Sequence, residues 1–120
     1  MATEREHRDQ AELNHQFLDS FAEEDFPDWA ITVRFYIAVH AVQQLMERNS
    51  HRVDNHDDRK RVLIESFPHL WKQYQPLYQL SRRVRYFCQR VTVKQLADSE
   101  TYLERVERIV ESELNPRPST

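Results

Sequence analysis

The sequence predicts an all-α protein, a bundle of four to five helices, and three observations carry that prediction. The first is the stretch from Trp29 to Met46, in which thirteen of eighteen residues are apolar or aromatic. A surface helix shows one apolar stripe, whereas a helix that is apolar almost all round is enclosed by others. The second is that none of the 120 residues is glycine. Glycine is the usual residue of primed hairpin turns, so its absence argues against a many-stranded fold. Asn49 and Asn115, each just past an apolar run, are expected to supply left-handed helix caps in its place. The third is the recurrence of apolar residues at three- and four-residue spacing through the rest of the chain.

The first helix is expected over about Arg8–Ala22, where Leu13, Phe17 (or Leu18) and Phe21 recur among charged residues. Pro27 suits the first turn of the second helix, and Asp25 and Asp28 suit its positive N-terminal end. That second helix is the central one. Between its apolar sides runs a polar line of Thr32, Tyr36, His40 and Gln43 or Gln44. Two readings of the line stand: an internal hydrogen-bond network, or one wall of a binding cleft with His40 placed for proton transfer.

The loop Asn49–Asp58 is dense in histidine and carboxylate, but the spacing of His51 and His56 matches no metal motif. Asp54 or Asn55 makes an N-cap for a third helix over about Asp57–Phe67, burying Val62, Leu63 and Phe67. Pro68 opens a fourth segment, which Pro76 is expected to kink or restart. From there Leu77, Leu80, Val84, Phe87 and Val91 form a stripe to be buried. The other side carries Tyr78, Arg82, Arg85 and Gln89, with Tyr86 one turn beyond Arg82. The stretch from Ser81 to Tyr86, SRRVRY, is the densest cationic and aromatic run in the chain. It reads either as a solvated helix face or as a surface for phosphate and base, guanidinium forking onto phosphate and tyrosine stacking. Thr92 and Gln95 resemble a capping box for a last helix that runs to about Leu114 through Leu96, Leu103, Val106 and Val110. Residues 115–120 read as a frayed tail, leaving a single domain with its core over about 8–114.

Charge is unevenly placed. Residues 1–28 hold nine acids against two bases, residues 29–97 five against twelve, and residues 98–120 six against three. A basic middle between acidic ends either attracts an anionic ligand or pairs with those ends. A single cysteine, Cys88, excludes an internal disulfide and fits a reducing compartment. No apolar signal core opens the N-terminus, and Arg34, His40, Gln43 and Gln44 interrupt the one long apolar run. The expectation is a cytoplasmic protein without membrane contact, metal or cofactor.

Together these residues resemble a known family. Trp29, Phe35-Tyr36, Ala38 and His40, then Ser50-His51-Arg52, Arg59, Tyr74, Leu77 and Ser81-Arg82-x-x-Arg85-Tyr86, look like the HEPN superfamily. Within it they are most similar to small stand-alone bacterial HEPN-like proteins, over about residues 26–114. The resemblance implies an up-and-down bundle that dimerises across its longest helices and works on RNA or nucleotides, often in toxin–antitoxin or antiviral systems. Many members are metal-independent ribonucleases with an arginine followed by a histidine with four to six residues between them. That spacing occurs here from Arg34 to His40 and from Arg8 to His15. Roughly two such pairs are expected by chance in a chain with this many arginines and histidines. Arg34 and His40 also stand about 120° apart around one helix, so they do not face one phosphate together.

Three functions follow. The first is a homodimeric module binding RNA or a nucleotide phosphate through Arg52, Arg59, Arg82, Arg85 and Tyr86. The second is a ribonuclease with His40, His51 or His56 as general acid–base. The third is a regulatory or assembly partner whose acidic ends dock a basic protein.

Overall fold

A computed structural model describes residues 2–116, and the expected tail lies outside the described residues from 117 onward. The fold is all-α. Five helices follow in order: α1 (Glu4–Asp19), α2 (Pro27–Arg48), α3 (His56–Ser66), α4 (Pro68–Tyr86) and α5 (Val93–Leu114). Ion pairs and hydrogen bonds fix their directions. Arg48 at the end of α2 bonds Glu4 at the start of α1 and the carbonyl of Leu114 at the end of α5. His69 at the start of α4 meets Glu113 near the end of α5 at 3.0 Å. Thus α1 and α4 run one way and α2 and α5 the other, as an up-and-down bundle, with α3 packed on α4 in the crossover. No described helix is long and apolar enough to cross a membrane.

The apolar run of α2 is enclosed as its composition demands: α1, α4 and α5 all pack on it. Ala30, Ile31, Val33, Phe35, Ile37, Ala38, Ala41, Val42, Leu45 and Met46 are buried, joined in the core by Leu63, Leu70, Tyr74, Leu77, Leu103, Val106 and Val110. Pro27 and Pro68 each sit in the first turn of their helix, where the missing N–H costs nothing. Asn55 caps α3 through the Asp58 N–H, and Thr92 with Gln95 closes a reciprocal capping box at α5.

Four expectations are corrected. Helix α1 lies four residues nearer the N-terminus at its start and turns a different face inward. Ala11 is buried, with His7, His15 and Leu18 half-buried beside it, while Leu13 and Phe17 are 56% and 52% exposed. The small Ala11 lets α1 approach α2 closely, and the two histidines find polar partners there, so the bulkier apolar residues are left outside. Pro76 neither kinks nor restarts α4, which is continuous through it. Its missing N–H leaves unpaired the carbonyl of Lys72, an exposed residue, so the lost bond falls on the outer side of the helix. The stripe on α4 stops early: Leu77 and Leu80 are buried, but the helix ends at Tyr86 and Phe87 is exposed. Finally, the left-handed positions are not Asn49 and Asn115 but Ser50 (φ 59°) and Cys88 (φ 50°), which turn the chain after α2 and after α4.

One charge lies within this core. Arg34 is 5% exposed. It reaches Glu23 in the α1–α2 turn, and it donates to Ser99 Oγ at 2.9 Å and to the Leu96 carbonyl at 3.3 Å in α5. A buried guanidinium is tolerated only with its donors engaged, and here they tie a turn and two helices together.

Arg34→Ala should therefore lower unfolding free energy by about 3 kcal/mol in urea titration, while Arg48→Ala, whose ion pair faces water, barely moves it. Ser50→Gly should act in the opposite direction, raising stability by about 1 kcal/mol by relieving a left-handed β-carbon.

Candidate functional site

Helices α2, α3 and α4 enclose a cleft of about 420 Å³. Phe35, Tyr36 and Val39 come from α2, His56 and Arg59 from the first turn of α3, and Tyr78, Arg82, Arg85 and Tyr86 from α4. Spacings of four, seven and eight residues place the α4 group on one helix face, and three residues place the α3 pair on another. The floor is aromatic: Phe35 packs against Tyr36, Tyr74 and Tyr78 with ring centroids 5.6–5.8 Å apart.

The arginines are held by rings and hydroxyls. Arg85 donates to Tyr36 Oη at 3.2 Å and to the Ser81 carbonyl at 3.3 Å, and its guanidinium lies 5.1 Å from the centre of the Tyr86 ring. Arg82 donates to Tyr78 Oη at 3.4 Å and lies 5.8 Å from the Tyr86 ring. Arg59 donates to Tyr74 Oη and to Gln43 Oε1, both at 3.4 Å. Among the described residues no carboxylate pairs with any of the three, whereas Arg34, Arg48, Arg61 and Lys94 are all ion-paired. The basic middle of the chain therefore divides: some cations pair with acids, and three converge on one cleft without an acid.

His56 stacks on Tyr78 with ring centres 3.6 Å apart and planes 13° from parallel. Its Nδ1 is buried without a hydrogen-bond partner. Burial first, and the neighbouring Arg59 charge second, push its pKa below the ordinary histidine value, favouring the neutral ring.

Beside the cleft, across Val39 and Arg59, lies a second hollow of about 320 Å³ that includes His7, Gln43, Glu47 and Asp54. Here the polar line of α2 resolves. Thr32 bonds the Asp28 carbonyl, and Tyr36 forms a wall of the cleft. His40 Nδ1 meets His7 Nδ1 at 2.9 Å, and Gln43 donates to the Val53 carbonyl at 3.2 Å. The line is open at Tyr36, which lines the cleft, and an internal network from His40 onward, so His40 does not stand in the cleft for proton transfer.

Of the residues singled out from sequence, Arg59, Arg82, Arg85, Tyr86 and His56 meet in this cleft. Arg52 does not: it is exposed in the loop before α3 and lines no part of the cleft. His51 is fixed by its backbone N–H to the Met46 carbonyl at 2.9 Å and also stays outside. His40 belongs to the His7 pair. Neither arginine–histidine spacing builds a site, because Arg34 is engaged by Glu23 and α5, and His15 is bonded to Glu107 at 2.8 Å. Tyr36 and Tyr78 also line the cleft, although neither is among the residues assigned to a ligand from sequence. Their signal was present, since Tyr78 precedes Arg82 by one turn and Tyr36 stands in the polar line. Among the described residues no group of three or more histidines, cysteines or carboxylates gathers to hold a metal ion.

Compared with known protein families, curated proteins and solved structures, the chain matches none.

The histidines make a test with opposite signs. Burial lowers the pKa of both His7 and His40, the charge of His7 adding to the effect on His40. A lowered histidine stabilises the fold above its unfolded pKa near 6.5, and that contribution is lost as pH falls through the folded value. His15 is raised, chiefly by its hydrogen bond to Glu107, so its contribution is full below about pH 6.5 and lost as pH rises through the folded value. Urea titrations should show His40→Gln costing stability at about pH 8 and little at about pH 5, with His15→Gln showing the reverse. Parallel pH profiles for the two variants would contradict this assignment.

Proposed function

We propose that this chain is a HEPN-like cytoplasmic protein that binds single-stranded RNA or a nucleotide in the α2–α3–α4 cleft. The observation that carries the reading is the convergence of Arg59, Arg82 and Arg85, none paired with a carboxylate, among the rings of Tyr36, Tyr78, Tyr86 and His56. Guanidinium groups present forked donors to phosphate oxygens, and exposed tyrosines offer faces on which bases stack. Tyrosine hydroxyls and ring faces hold these guanidiniums without neutralising them, so their charge remains for an anion. The cleft volume lies within the usual range for small-molecule sites. The HEPN-like sequence pattern supports the same ligand class and a setting in toxin–antitoxin or antiviral systems.

If three arginines contact phosphate, log affinity should fall against log salt with a slope of about −2 for a single strand. Fluorescence anisotropy with labelled single-stranded RNA checks this. Arg82→Ala with Arg85→Ala should weaken binding at least about tenfold and reduce the slope to about −0.7. Binding that ignores salt, or that the double variant leaves intact, would remove the proposal.

One observation favours a second, catalytic reading. His56 lines the cleft one helical turn from Arg59, with its Nδ1 unpartnered, and burial favours its neutral form. A neutral imidazole is suited to take the proton of a ribose 2′-hydroxyl as that oxygen attacks the adjacent phosphate and the P–O5′ bond breaks, leaving a 2′,3′-cyclic phosphate and a 5′-hydroxyl that takes its proton from water, with arginine stabilising the developing charge. End-labelled RNA incubated with the protein in EDTA should then give defined products that are lost with His56→Ala and kept with His40→Ala. Intact RNA leaves a binding protein without this reaction.

A further inference from the structure

The large hydrophobic residues left exposed are not scattered. Apart from Leu13, Ile64 and the cleft tyrosines Tyr36 and Tyr86, those among the described residues all belong to two turns. Phe17, Phe26 and Trp29 surround the α1–α2 turn, and Phe87 and Val93 project from the α4–α5 turn at 63% and 88% exposure. Both turns lie at the same end of the bundle. Arg34, near the start of α2, bonds Glu23 in the first turn and Leu96 and Ser99 just past the second.

The two turns differ in shape and in charge. Phe17, Phe21, Phe26 and Trp29, with Ser20, line an open hollow of about 330 Å³ whose surface is almost wholly apolar. Residues 19–28 around it hold five carboxylates and no lysine or arginine. The α4–α5 turn instead exposes its apolar residues, with Cys88 in the left-handed conformation at its bend. Residues 82–94 hold no carboxylate, and of their five bases Arg82 and Arg85 face the cleft and Lys94 pairs with Asp98, leaving Arg83 and Arg90 at the turn. An acidic aromatic hollow and a basic turn with exposed apolar residues thus share one end of one molecule.

We infer that this end, rather than the sides of the longest helices, is a self-complementary interface for a second copy of the chain, related by a two-fold axis between the two turns. The α4–α5 turn of each copy seats Phe87 in the partner's aromatic hollow, and Arg83 and Arg90 face Glu24 and Asp25 on its rim. A two-fold interface repeats every contact, so both hollows fill at once and the assembly closes as a dimer. Exposed apolar surface gathered in one place is what a monomer avoids and an interface uses. Charge selects the register: hollow against hollow would set carboxylates against carboxylates, whereas hollow against turn pairs opposite signs. The inference is independent of the cleft ligand, because Phe87, Arg83 and Arg90 lie outside the cleft.

Sedimentation equilibrium of the full chain at sub-millimolar concentration tests it, with circular dichroism confirming that each variant is folded. The native chain should sediment at twice its 14.6 kDa and dissociate as salt is raised. Glu24→Lys with Asp25→Lys, and separately Arg83→Glu with Arg90→Glu, should each weaken the dimer by about tenfold or more through like-charge contacts. All four positions are exposed, so the fold should be unaffected. Mixing the two double variants should restore a dimer, since each then meets the opposite charge at both hollows. A native monomer overturns the inference, as do open-ended chains, a dimer that survives both double variants, or variants that remain monomeric when mixed.

Discussion

Helix α2 cannot be kept dry by one neighbour. Its apolar residues point in nearly every direction, so water is excluded only when α1, α4 and α5 cover it from several sides. Much of the architecture follows from that constraint. Helices α1 and α5 reach its far end through Arg48, and α4 returns along it to bring Arg85 against Tyr36. The cleft exists because α2 is covered by α4 but not sealed there: Tyr36 and Val39 remain at the edge, and α3 contributes His56 and Arg59 across the gap.

Enclosing α2 also forces a choice about its one internal charge. Arg34 stands among buried neighbours, and the acidic α1–α2 turn is drawn in to meet it. This is where the charge asymmetry of the sequence is partly spent. The acidic N-terminal region supplies partners for Arg34 and Arg48, and the acidic last helix supplies one for His69. Arg59, Arg82 and Arg85 lie on the α3 and α4 side, which no acidic helix covers, and tyrosine hydroxyls hold them instead. Sorting cations into paired and unpaired sets gives the molecule one cationic aromatic cleft within an overall acidic chain.

The same covering leaves one end of the bundle unfinished. Helix α1 turns its small and polar face to α2 and leaves Leu13 and Phe17 outside, while α4 stops before Phe87 can enter the core. Both outcomes come from backbone and packing demands elsewhere: the close approach at Ala11 in the first case, and the left-handed bend at Cys88 in the second. Each places aromatic residues in water, and each lies in a stretch of uniform charge.

By itself the sequence determined the fold class, the central helix and most helix ends. Those depend on local chemistry: the absence of glycine, apolar density between Trp29 and Met46, proline at the first turn of α2 and α4, and the caps at Asn55 and Thr92. It also determined most of the cleft's cationic and aromatic residues, because Arg82, Arg85 and Tyr86 share a face at helical spacing. Tertiary structure alone decided which faces turn inward where two faces are nearly equivalent, as on α1, since helix periodicity ranks faces but not their partners. It alone decided that Arg34 is structural while Arg59 is free, and that Arg52 and His51 stand apart from the cleft. Which charges pair depends on distances between helices far apart in the chain, and no spacing along one helix contains that information.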